Sequence, residues 1–145
     1  MRKCLMQAKE MNSEWAVVCE DDAEFPTNVN FEEFIMKHKD SKAIWLDGRN
    51  TRNNNDGFIP GACMNAVMYH KSIFDVLIKE MHPDTSTLMH LWGVKRKGTP
   101  MLNDFYIPFI LQENKIKGSN CAVTINCNKF KSTVSCCDHE KEYSL

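Results

Sequence analysis

The stretch WAVVCEDDAEF, residues 15 to 25, decides how this chain is read. Its apolar run from Trp15 to Cys19 ends in Glu20, Asp21 and Asp22, with Glu24 close behind. Two valines inside a short run bounded by acids predict a buried strand of about five residues. Adjacent carboxylates repel one another and are costly to hold beside a low-dielectric core. Water, a basic neighbour or a metal ion has to compensate them.

The same arrangement recurs downstream. Lys42 to Leu46 (KAIWL) predicts a second strand, and it too ends in an acid, Asp47, before Gly48. Next comes NTRNNNDGFIPG, residues 50 to 61, a polar loop dense in turn residues. Gly61 to Tyr69 predicts a third strand and CAVTIN, residues 121 to 126, a fourth. Helices alternate with these strands. One spans residues 2 to 12. Another follows Asn30, where Glu33 completes a capping-box spacing. A third opens at Ser72, with Ile73, Phe74, Leu77, Ile78 and Met81 as its apolar stripe. The last is capped by Asn103 or Asp104, carries Pro108 inside it and ends at Lys117 and Gly118. Such alternation predicts an α/β sandwich. The domain is expected over residues 1–135, with a polar tail over 136–145.

Composition bounds the function. A chain of 145 residues fits one domain with one core. It is 43% hydrophobic and 26% charged, which is globular rather than disordered. Its net charge of −1 lacks the basic excess of a dedicated nucleic-acid binder. No apolar run approaches the roughly 20 residues of a membrane helix, and the first residues have no continuous apolar stretch of the secretory kind. Seven cysteines, an odd number, favour reduced thiols and hence a cytoplasmic setting.

In open α/β sheets, ligands collect at the carboxyl ends of strands. Glu20 to Asp22 and Asp47 all stand at predicted carboxyl ends. Hard cations such as Mg²⁺ or Mn²⁺ take oxygen ligands and keep waters and substrate phosphates. The residues therefore read as a metal-assisted site for a phosphorylated substrate. A solvated acidic turn is the competing reading, because acids are common in turns.

WAVVCEDDAEF resembles the signature of glycosyltransferase family 25, a hydrophobic strand followed by Glu-Asp-Asp, an acid and an aromatic. That family contains the lipopolysaccharide and procollagen galactosyltransferases. KAIWLDGRN, GACMNAVMYHKSIFDVLIKEM and LNDFYIPFI are similar to its later blocks, in the right order. The resemblance spans about residues 4 to 115. It implies a GT-A fold, a Rossmann-like mixed-sheet sandwich that binds a UDP-sugar. It implies that Glu20 and Asp22 hold Mn²⁺ or Mg²⁺ against the donor diphosphate, with Asp21 near the ribose or a ligand water. It further implies inverting transfer, galactose by family analogy, to a hydroxyl of a glycan or protein. The base for that hydroxyl would be Asp104, with Asp84 as second choice. Asp47 and Gly61 would approach the donor sugar, and His90 would add a late metal ligand. Only one helix precedes AVVC, where the family has a nucleotide-binding strand and a Ser-His pair. The expectation is therefore an N-terminally abbreviated domain.

Each of these residues also has a plainer reading. Asp104 is equally a helix cap, Gly61 a turn glycine and His90 a surface histidine. Lys95 to Lys97 could clamp a diphosphate or simply form a solvated turn. Trp15 and Trp45 read as core, and Trp92 as a surface that an acceptor sugar could stack on. Cys121, Cys127, Cys136, Cys137 and His139 lack the spacing of a structural zinc site. Two other functions compete with the transferase: a non-catalytic binding remnant of one, and a Mg²⁺-dependent phosphoryl-transfer enzyme such as a nuclease. The latter lacks a basic residue beside the acids.

Overall fold

The structure, a computed structural model, describes residues 1–20, 23, 25–47, 66–82, 84–90 and 103–123. In chain order the elements are α1 (Arg2–Glu10), β1 (Trp15–Cys19), α2 (Phe31–Lys37), β2 (Ala43–Asp47) and β3 (Ala66–His70). A 3-10 turn (Lys71–Ile73) then leads into α3 (Phe74–Glu80), α4 (Asn103–Glu113) and β4 (Gly118–Val123). Residues 87 to 90 are also helical.

Local chemistry sets several of these boundaries. Asn12 takes φ 52° and stops α1, a conformation that asparagine tolerates better than most side chains. The Asn30 side chain accepts hydrogen bonds from the N–H groups of Glu32 and Glu33, at 3.1 and 3.3 Å. It thereby satisfies two of the donors that a helix start leaves open.

The four strands form one sheet in the order β1-β3-β2-β4. β3 is antiparallel to both its neighbours, and β4 is parallel to β2. It follows that β1, β2 and β4 all run the same way and β3 runs against them. The sheet therefore has a start end, where those three strands begin, and a finish end, where they stop.

Both faces are covered. On one, Trp45, Val67 and Tyr69 pack with Leu5 of α1, Phe74 and Leu77 of α3, and Ile107 and Ile110 of α4. On the other, Ile44, Leu46, Met68 and Cys121 meet Phe31, Phe34 and Ile35 of α2. Alternate residues of β2 feed opposite layers, as the pleat requires. The result is a three-layer α/β sandwich in one small domain. Burial of Leu5 anchors α1 and contributes roughly 1.5–3 kcal/mol. The exposed Lys9–Asp75 ion pair between α1 and α3 adds at most about 1 kcal/mol.

Two sequence expectations need correction. Ser72 does not cap the third helix. The chain first makes the 3-10 turn, which His70 caps by accepting the Ser72 N–H on its ring Nδ1 at 3.3 Å; α3 then begins at Phe74 with Ile73 at its cap position and no side-chain cap bond. The fourth strand begins at Gly118, not Cys121. Gly118 reads in the sequence as a helix stop, but α4 ends at Glu113 and Lys115 turns the chain at φ 54°. Gly118 belongs to the strand because the Trp45 ring lies over it. A Cβ there would stand 2.9 Å from Trp45 Cζ3.

Candidate functional site

The register of the sheet decides what its finish end can do. Cys19 of β1 stands opposite Ala66 of β3, and Trp45 of β2 stands opposite Val67. The β2–β3 pairing ends at Trp45, and the β2–β4 register shifts between Trp45 and Asp47, which pairs with Val123. Glu20 follows the last residue of β1 and Asp47 is the last residue of β2, so both lie at the finish end, on strands separated by β3. Glu20 is exposed, and its carbonyl accepts the Ala23 N–H at 3.2 Å.

The start of α4 points to the same end. β4 begins beside Ala43, at the start end, and only residues 114–117 link it to α4. With Tyr106, Ile107, Ile110 and Leu111 packed into the helical layer, α4 must run back against the sheet. Its first turn, with Asn103 and Asp104, is therefore carried toward the finish end. Asp104 is the second residue of α4, inside the helix rather than at a cap before it.

A buried polar cluster fixes the chain beside that first turn, and nothing in the sequence pattern announces it. Ser86 is fully buried. Its Oγ lies 3.0 Å from Glu80 Oε2 and 2.6 Å from the Tyr106 hydroxyl, and it accepts the Met89 N–H at 2.8 Å. The Glu80 carboxylate also accepts the Leu88 N–H at 2.9 Å, and Tyr106 donates to the Glu80 carbonyl at 2.8 Å. Two hydroxyl protons thus serve three short oxygen–oxygen contacts. Burial raises the Tyr106 pKa and outweighs the Ser86 hydrogen bond, so the phenol stays a donor. The cluster joins α3, residues 86–89 and α4 across 20 to 26 residues of sequence. Separations of that size have no local signature.

The remaining candidates divide as follows. Asp84 is exposed; its N–H donates to His82 Nδ1 at 3.1 Å, and its carboxylate stands 3.9 Å from the same atom. His90 is exposed at the end of the helical turn that the Ser86 cluster holds. Asp47 and Asp104 are placed by their backbones, and their side chains lie outside the described set. Asp21, Asp22, Gly61, Trp92 and Lys95 to Lys97 lie outside the described residues, as do Cys127, Cys136, Cys137 and His139. Cys121 is buried, and burial pushes its thiol pKa up, the opposite of what a thiolate metal ligand needs.

Among the described residues, no group of three His, Cys, Asp or Glu side chains converges as a cation site. The residue types at the finish end are those a hard cation takes: Glu20 and Asp47 are carboxylate residues at the ends of two strands of one direction, with β3 between them. No helix among the described residues is long and apolar enough to cross a membrane. Set against models of protein families, curated proteins and solved structures, the chain matches none.

Proposed function

We propose that the chain is a metal-dependent glycosyltransferase domain that moves a sugar from a UDP-sugar to a glycan or protein hydroxyl with inversion. One observation carries the reading: β1 and β2 run in the same direction, so that Glu20, just past β1, and Asp47, the last residue of β2, lie at the same end of the sheet. A solvated acidic turn needs no such alignment, whereas a site gripping one diphosphate between two strand ends does.

In this reading Glu20 and Asp22 hold Mn²⁺ or Mg²⁺, with Asp21 directed to the ribose. Asp47 and Gly61 face the donor sugar, galactose by the family resemblance, and His90 joins the cation's ligands. Asp104, at the start of α4, takes the acceptor proton; Asp84 is the second candidate, although its carboxylate stands nearest His82. The cation, when bound, offsets the charge on the departing nucleoside diphosphate.

The test is thermal denaturation with UDP, with and without Mn²⁺. A ligand at about one hundred times its Kd stabilises by ~2.7 kcal/mol, a shift of several degrees. That shift should require Mn²⁺ and vanish in Asp22→Asn, whose unliganded melting should stay within about 1 °C of the parent. A folded protein that ignores UDP under both conditions would instead make the chain a non-catalytic remnant.

A further inference from the structure

Three helix ends meet in the Glu80–Ser86–Tyr106 cluster. The Glu80 carbonyl, at the C-terminus of α3, accepts the Tyr106 hydroxyl at 2.8 Å. The helical turn that opens at residue 87 gives two N–H groups to the cluster. Leu88 donates to Glu80 Oε2 at 2.9 Å and Met89 to Ser86 Oγ at 2.8 Å. Tyr106 stands in the first turn of α4. Helix ends leave such groups without partners inside the helix, and here each is met from another element or from the residue before the turn.

Burial makes this arrangement stiff. Ser86 is 0%, Tyr106 3% and Glu80 5% exposed. A buried polar network with its bonds made holds one geometry, because a shift leaves a group unpaired in a low-dielectric setting. Apolar packing of Leu88 and Met89 against the core is not directional. The hydrogen bonds are, so they fix where residues 86–89 lie along α4.

What the cluster carries is open to solvent. His90 follows Met89 directly and is exposed. The first turn of α4, to which the cluster is tied through Tyr106, is carried toward the finish end. His90 therefore leaves a fixed, buried anchor on the side of the helical layer that serves the acidic end of the sheet.

We propose that Ser86, with Glu80 and Tyr106, is a positioning residue for His90 as a ligand of the cation in the nucleotide site. The inference rests on the transferase reading. The three side chains are buried and act through the backbone of Leu88 and Met89.

The probe is UDP with Mn²⁺, titrated calorimetrically into the full chain well below its melting transition. Ser86→Ala should weaken Mn²⁺-dependent UDP binding about tenfold, the lower end for losing a group that orients a metal-ligating histidine. In a His90→Ala background the same change should cost less than about twofold, because its route to the cation is gone. Tyr106→Phe, which keeps the ring and removes one hydroxyl, should repeat the pattern and replaces Ser86→Ala should that variant not fold. Equal losses with and without His90 would make the cluster a structural tie only, and no loss in either background would detach it from the site; each result overturns the proposal. A His90→Ala protein that binds like the parent overturns it while the transferase reading stands. A folded parent that ignores UDP with Mn²⁺ removes both.

Discussion

The start and finish ends of the sheet are built to different plans. At the start end the backbone closes on itself. The Lys42 N–H donates to the Lys117 carbonyl at 2.8 Å, the His70 N–H to the Lys42 carbonyl at 2.9 Å, and the Lys71 N–H to the Glu14 carbonyl at 2.8 Å. This end is basic, with Lys42, Lys71 and Lys117 beside His38 and His70. At the finish end stand Glu20 and Asp47, and the connections from them to the next elements are longer in sequence. The difference suggests a division of labour: the end with closed turns holds the sheet together, and the acidic end is where the proposed function places its ligand. Changes at the start end should therefore cost stability, and changes at the finish end should cost binding.

The sharpest attack on the closed end is Gly118→Val. The new Cβ would meet Trp45 Cζ3 at 2.9 Å and the Ala43 carbonyl at 3.5 Å, and Trp45 is fully buried. Overpacking of this kind costs about 1–3 kcal/mol or more, and the rigid indole and backbone put this site at the upper end. Urea denaturation should show the midpoint fall with the slope kept. A loss under about 1 kcal/mol would mean that the ring moves aside, so this end is looser than its turns imply.

Ser86→Ala probes a buried polar tie in the helical layer, away from the closed turns. It removes the hydroxyl that joins Glu80, Tyr106 and the Met89 N–H in a buried setting. Leaving those partners unsatisfied should cost about 1–3 kcal/mol in the same denaturation experiment. It should also raise hydrogen exchange at Leu88 and Met89 ahead of the sheet amides. A uniform rise across the sheet would erase the contrast, because the cluster would then belong to the global core.

Much of this fold is legible in the sequence, for a physical reason. The strands at Trp15, Ala43 and Ala66 are short apolar runs ended by charged or turn residues, and the Asn30 cap is a three-residue pattern; both are local signals. β4 is misplaced because its first residue is a glycine, whose role comes from Trp45 some 70 positions earlier. The carboxylates of the candidate site are equally legible as an unusual cluster beside a buried strand. That Glu20 and Asp47 share one end of the sheet is not, because it depends on β3 pairing between β1 and β2 in reverse direction. The Glu80–Ser86–Tyr106 cluster is invisible for the same reason: each residue is ordinary until the fold brings it beside the others.

The smallest expected effect tests the basic character of the start end by pH. Burial lowers the His70 pKa, and Lys42 and then Lys71 push the same way against the opposing pull of Glu14. Burial, with Lys37, lowers that of His38. A histidine with a depressed folded-state pKa binds fewer protons when folded than when unfolded. Its stabilising contribution is complete above the unfolded value of about 6.5 and is lost as pH falls from there through the folded value. The melting temperature should hold between pH 8 and 7 and decline as pH falls below about 6.5. His70→Asn, which keeps an acceptor for the Ser72 N–H, should flatten that decline. Lys42→Gln should flatten it by removing a positive neighbour, and Glu14→Gln should steepen it by removing the negative one. The opposite ordering of the last two would mean that the finish-end carboxylates govern the acid response, and the division of labour between the two ends would fail on the charge side while surviving on the packing side.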